Sequence, residues 1–386
     1  MTDVQITLLE LIKAALFRTE PHLPESVDWD QVYEEAISQT VVGLAAPFVP
    51  QSEAKKWQLA AAQNQARYIR LLYEQSKLVK LFEERGIPMV ILKGTAAAIY
   101  YPVARYRRFG DVDFLVPPER FDEACALMEE NGYRVQQDIS RHIEYEKNGV
   151  AFELHRRFST DEYNIEPLLL EGMKHIAVRE IDRMSFPALP NDENGMVLLG
   201  HIRQHIRAEG LGLRQVIDWM MFVHAGLDDA AWESHFRAMV RETGFEPLTV
   251  TITALCKKYL GLPDPITWCD SADEGLVDAV MQLLLDNGNF GQKRDASDRA
   301  IDRRSREFKK EGVFRNLQRV GLMNWAAARE HAFLRPFAWL YQIVRYIRKG
   351  VVVLLRGDRL RKGIDSTRKK RDILTQLGVD PFAAHE

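Results

Sequence analysis

Residues 87–116 read IPMVILKGTAAAIYYPVARYRRFGDVDFLV, and two short apolar runs frame them. The first, 89–92, breaks at Lys93-Gly94-Thr95 and passes into an alanine-rich segment whose composition favours a helix. The second, 112–116, carries Asp111 and Asp113 at its start. Side chains alternate faces along a strand, so this spacing puts both carboxylates on one side and Val112 and Phe114 on the other. The pattern predicts strand, tight turn, helix and second strand, with one sheet face apolar and the other acidic.

Two carboxylates held close repel each other unless a cation or proton compensates. Mg2+ or Mn2+ suits them, since both take hard oxygen ligands together with phosphate oxygens and water. A glycine at a strand-to-helix turn lets backbone N–H groups approach a phosphate. Gly94 and Thr95 are therefore the candidate phosphate side. Lys-Gly-Thr turns and Asp-x-Asp pairs also occur as plain turns and strand edges; here both abut predicted strands in the right order. A third acid joins them. After a predicted helix over 119–131, residues 142–146 and 150–155 read as strands around the turn Asn148-Gly149, which sets Glu153 beside the Asp pair.

On these residues the chain resembles the nucleotidyltransferase fold of the DNA polymerase beta superfamily, whose pattern is a Gly-Ser turn, Asp-x-Asp and a third carboxylate on a later strand. More narrowly, LKG (92–94), YYP (100–102), Arg107, DVDFLV (111–116), GY (132–133) and ELH (153–155) resemble an uncharacterised bacterial nucleotidyltransferase family with LKG and D-[IV]-D-x-L-V signatures. The resemblance implies an α/β (α+β) core with a small mixed sheet, embedded in a large mainly α-helical framework. It implies metal binding and catalysis by Asp111, Asp113 and Glu153, and a triphosphate held by Lys93, Gly94 and Thr95. Arg107 would neutralise charge developing on the phosphates, or else pair with a carboxylate. The implied reaction is Mg2+-dependent attack of an acceptor hydroxyl on the α-phosphorus of a nucleoside triphosphate, ATP most often, with pyrophosphate leaving. Two metals about 3.5 to 4 Å apart would serve it, bridged by Asp111 and Asp113, with Glu153 as ligand or base. Three departures stand out: Thr95 replaces the usual serine, the gap from Gly94 to Asp111 is long, and Arg156 follows ELH where relatives often carry an aromatic.

At 386 residues the chain exceeds what one compact core usually holds. The expected segments are an N-terminal helical part (1–86), the nucleotidyltransferase core (87–190), a helical domain (191–300) and a basic helical C-terminal region (301–386). A long helix over 52–85 ends at Gly86-Ile87-Pro88 and delivers the chain to the first strand. Residues 1–17 form a short amphipathic helix of the fold, with no basic stretch or cleavage site of a signal peptide. Cys125, Cys256 and Cys269 show no metal or disulfide spacing. No apolar run reaches the roughly 18 residues a bilayer span needs. A soluble, cytoplasmic protein is expected.

Beyond residue 158, Phe186-Pro187-Ala188-Leu189-Pro190 reads as an extended connection, and 191–194 supplies candidate N-caps for the helices that follow. His201 and His205, four apart, share a helix face, either as packed imidazoles or as half of a metal site awaiting a third ligand. The family likeness includes a histidine here and the pattern Leu213, Arg214, Asp218. Arg214 and Asp218 are spaced for an ion pair and can also line the nucleotide cleft. Residues 286–291, DNGNFG, form a turn, either a plain connection or an acceptor-binding loop.

The net charge of −3 hides an uneven distribution. Residues 302–372 hold 20 Lys and Arg against 7 Asp and Glu, leaving 32 against 48 elsewhere. Such a basic face pairs with the acidic remainder of its own chain, or contacts an anionic membrane surface, or, third in order, nucleic acid. Two functions follow. One is the nucleotidyltransferase; the other is a non-catalytic module of the same fold that docks a partner or membrane through its basic tail. All three carboxylates favour the first, and Glu153 turned away from the Asp pair would favour the second.

Overall fold

The computed structural model describes residues 1–139, 141–158, 165–208, 210–263, 265–293, 313–325, 327–328, 331–345 and 368–379. Contacts gather the chain into two units, residues 1–292 with 375–386, and residues 293–374.

The first unit is built around a mixed sheet. Its strands among the described residues are β1 (Val90–Leu92), β2 (Val112–Leu115), β3 (Arg134–Asp138), β4 (His142–Lys147), β5 (Val150–His155), β6 (Ala177–Ile181) and β7 (Met184–Ala188), in the order β3-β4-β5-β2-β1-β7-β6. Strand β2 runs antiparallel to β1 and parallel to β5, which brings Leu92, Asp113 and Glu153 into one row across three strands. The β4–β5 hairpin turns on Asn148 and Gly149, both at positive φ (55° and 75°). That is the turn whose twist matches its strands.

Phe82 of the long helix α3 (Ala54–Arg85) packs edge-on against Phe114, and Tyr68 packs on Phe109; the shorter helices α1 (Asp3–Phe17) and α2 (Trp29–Ser38) precede it. Gly86, at φ 66°, ends α3 by taking the left-handed conformation in which its N–H reaches the carbonyls of Glu83 and Phe82. Val112, Phe114, Phe152 and Leu154 fill this apolar face together with Ala124, Leu127 and Met128 of α5 (Phe121–Glu130), the short α4 (Gly94–Ala98) lying between in sequence. Asp113 and Glu153 are left to the opposite face.

Two expectations are corrected. Residues 186–190 are not merely a connection: β7 joins the sheet parallel to β1 through Ile91 and Ala188, and pairs with β6. The turn between β6 and β7 is Asp182-Arg183, two non-glycine residues at positive φ, fixed by Tyr68 Oη donating to Asp182 Oδ2 at 2.8 Å. Nor does 191–194 cap α6 (Asn191–Arg207), whose N-cap is Pro190. Tyr100 Oη instead donates to Asn191 Oδ1, and Asn194 Nδ2 donates to the Ala96 carbonyl, tying α6 to the chain that follows β1. The helices α7 (Leu213–Gly226), α8 (Glu246–Leu260) and α9 (Glu274–Asn287) are the longest of the described helices that follow, with Trp219 Nε1 donating to Thr253 Oγ1 in their core.

In the second unit, α10 (Val313–Asn324) presents Gly321 where a Cβ would run into the Ala338 carbonyl, and Trp325 stacks on Tyr341. Of the basic stretch 302–372, residues 302–312, 326, 329–330 and 346–367 lie outside the described residues. No helix among the described residues is long and apolar enough to cross a membrane.

Candidate active site

The row Leu92, Asp113, Glu153 fixes the site. Asp111 stands two residues before Asp113, and oxygens of Asp111, Asp113 and Glu153 all lie within 4.8 Å of one another. Glu153 therefore faces the Asp pair, the arrangement expected of an enzyme. Three hard oxygen donors fit Mg2+ or Mn2+. Glu153 also groups with His142 and His155, again within 4.8 Å, but both imidazoles sit more than 3.5 Å from its carboxylate.

Lys93 and His155 balance the charge. Lys93 Nζ lies 2.6 Å from Asp113 Oδ1, and His155 Nε2 lies 2.9 Å from the same oxygen. Burial works to lower the Lys93 pKa, but Asp113, Glu153 and Asp111 outweigh it and hold the ammonium above its ordinary value. The same contest raises His155, with burial opposed by Asp113 and Glu153. Burial pushes Glu153 up, yet His155 and Lys93 bring it down to about 2. Asp111, with burial and the charge of Asp113 acting together, is raised.

The turn itself is strained. Lys93 sits at φ 48°, ψ −133°, and Gly94 follows at φ 20°. A non-glycine residue in such a region costs of order 1–3 kcal/mol and persists where its surroundings over-determine it. Thr95 departs from expectation: its hydroxyl donates to Gln75 Oε1 of α3 at 2.7 Å, in the interior. The methyl-bearing side chain is buried beside the helix, so only the backbone of Thr95 is left to meet a phosphate.

Of the two readings of Arg107, the structure shows the pairing with a carboxylate. Its guanidinium is buried and bidentate on Asp218 of α7, Nε to Oδ1 at 2.7 Å and Nη2 to Oδ2 at 2.8 Å, and Tyr101 Oη adds a third bond at 2.7 Å. Asp218 is thus engaged from 111 residues away rather than by Arg214 on its own helix. The long gap between Gly94 and Asp111 is pinned by these bonds and by α3, where Asn64 Nδ2 donates to the Arg105 and Arg107 carbonyls and Arg67 to that of Gly110. Asp111 stands at the end of this fixed loop, immediately before β2.

Arg214, spaced in the sequence for an ion pair with Asp218, does not make that pair its own. Its Nε is buried without a partner, and burial together with the charge of Arg107 lowers its pKa despite Asp218 and Asp111. An arginine in that state is stabilised by an incoming anion. His201 and His205 face the same charges. Their Nε2 atoms lie 2.8 Å apart, so one imidazole donates to the other, and Phe290 of the 286–291 loop packs on His205. Burial, then His205 and the cations Lys93, Arg214 and Arg107, hold His201 well below 6.5, and burial with Arg214, Lys93 and Arg141 brings His205 down to about 3.

These histidines carry a pH signature. Unfolded, both titrate near about 6.5; below that the unfolded chain binds more protons than the folded one, so stability falls as pH drops toward the folded value of about 3. The variant His201→Gln, His205→Gln is expected to flatten this part of the curve of melting temperature against pH. An unchanged slope would contradict the buried neutral pair.

The sequence pattern of a family described as uncharacterised nucleotidyltransferase matches residues 25–261. Among solved structures, the solution structure of the antibiotic-resistance factor ANT(2'')-Ia aligns with 46% of this chain and 97% of its own at 15% identity and a TM-score of 0.32. The crystal structure of ANT(2'')-Ia in complex with adenylyl-2''-tobramycin aligns with 44% and 96% at 16% identity and a TM-score of 0.33. No curated protein matches. The family pattern covers more than half of the chain and contains the whole acidic row with its Lys-Gly-Thr turn, and the chain belongs to this nucleotidyltransferase family.

Proposed function

We propose that the protein transfers a nucleoside monophosphate, with ATP as the first donor to test, onto a hydroxyl of an acceptor and releases pyrophosphate, using Mg2+ or Mn2+ held by Asp111, Asp113 and Glu153. The observation that carries this is the convergence of those three carboxylates beside the Lys93-Gly94-Thr95 turn. A divalent ion held there supplies charge neutralisation at the phosphate oxygens and lowers the proton affinity of an oxygen bound to it.

The chain's own residues divide the remaining work. Arg214 binds the triphosphate, because its unpartnered Nε and lowered pKa favour an anion. Backbone N–H groups at Gly94 and Thr95 add hydrogen bonds to the phosphates. Arg107 acts at a distance: by holding Asp218 it fixes the loop that carries Asp111, and so positions a ligand rather than touching the donor. His201 and His205, held neutral by burial, and Phe158, 5.6 Å from the Lys93 ammonium, put uncharged rings near the site. The acceptor oxygen forms a bond to the α-phosphorus, the bond to the pyrophosphate oxygen breaks, and the acceptor's proton passes to solvent or a nearby base.

The test is transfer of label from each of the four α-phosphate-labelled ribonucleoside triphosphates onto acceptors in a cell extract, with and without divalent ion. Label on an acceptor and free pyrophosphate, both lost on adding a chelator, are the expected result. Pyrophosphate release that is indifferent to the chelator would contradict it.

A further inference from the structure

One oxygen of Asp113 is already engaged twice by side chains of the protein itself. Oδ1 meets Lys93 Nζ at 2.6 Å and His155 Nε2 at 2.9 Å. A carboxylate oxygen has two lone pairs, and both are used here. Asp113 therefore has its other oxygen left for a metal, whereas a carboxylate spanning two ions commonly gives one oxygen to each.

Lys93 is not an incidental visitor. Its side chain is 11% exposed, its ammonium lies 5.6 Å from the Phe158 ring centre, and Asp111 and Glu153 both act on it along with Asp113. The backbone at Lys93 takes a conformation that glycine would hold at ease. A lysine kept there despite that strain points to a task for its side chain.

We propose that Lys93 is a built-in cation of the active site, occupying on Asp113 the place of a second divalent ion, so that the enzyme works with one metal ion. This rests on the metal-dependent reading above. Asp111, Glu153 and the free oxygen of Asp113 hold the single ion, and the ammonium supplies the other positive charge beside the phosphates.

The experiment counts protein-bound Mn2+ by electron paramagnetic resonance, with an α,β-methylene ATP analogue kept below the protein concentration so that little nucleotide is free. The wild type is expected to hold one Mn2+ per bound analogue, Lys93→Arg one, and Lys93→Met two. Two ions in the wild type would overturn the inference whether or not the methionine variant folds, and so would a folded Lys93→Met that still holds one. Analogue bound with no Mn2+ at all would take down the metal-dependent reading itself, a result distinct from a count of two.

Discussion

Asp113→Asn is expected to lower the rate of nucleotidyl transfer by about 1,000-fold or more while leaving the protein folded. Charge stabilisation at a metal-assisted phosphoryl centre is worth several kcal/mol, and each 1.36 kcal/mol is tenfold in rate. Asparagine keeps the shape of the side chain and an oxygen in reach of Lys93 and His155. Lys93 retains Asp111 and Glu153 as counter-charges. One of three mutually repelling carboxylates is also gone, which offsets part of the weakened pairing. The labelled-donor assay reads the rate and a thermal melt reads the fold. A folded variant with near wild-type turnover would show that the carboxylate row does no chemistry.

The second large effect is on stability and lies outside the carboxylate row. Asp218→Asn leaves the Arg107 guanidinium charged, 1% exposed and without its counter-ion. Removing one partner of such a pair costs about 3–5 kcal/mol, whereas replacing both by apolar residues of similar volume is often nearly neutral. Urea denaturation of Asp218→Asn is expected to show that loss, and the double variant Arg107→Met, Asp218→Leu to recover much of it. Activity should fall in both, because the loop that carries Asp111 is no longer tied to α7. If the single variant loses less than about 1 kcal/mol, the range of an exposed pair, the pair is not the anchor described here.

What the sequence could show depended on whether a feature was local. The strands β1, β2 and β5 and the Asn148-Gly149 hairpin follow from runs and a turn that lie within a few residues of each other, and the Asp-x-Asp spacing places two carboxylates by alternation alone. Glu153 needed only the hairpin to bring it alongside. By contrast, β6 and β7 turn on Asp182-Arg183, which lacks the glycine that marks such turns, and β7 contains Pro187, which reads as a break.

The site's unforeseen contacts have the same origin. Four-residue spacing made Arg214 the natural partner of Asp218, and it has no means of announcing that Arg107 arrives from another element to take both oxygens. Thr95 looked like a phosphate ligand because its hydroxyl sits beside Gly94, but α3 brings Gln75 to it. His201 and His205 were legible as one face, while their bond to each other and their setting among Lys93, Arg214 and Arg107 depend on the folded chain. Lys93 was read as a charge near phosphate; its seat on Asp113 follows from the register of β1 against β2 and the unusual turn that ends β1.

The most direct measurement is calorimetric titration of the four ribonucleoside triphosphates into the wild type and into Asp111→Ala, Asp113→Ala, each with and without Mg2+. Binding of at least one triphosphate that requires Mg2+ in the wild type and disappears in the double variant is the predicted result. A wild type that binds no triphosphate, or a variant that binds as tightly as the wild type, would contradict a nucleotide and metal site built on these carboxylates.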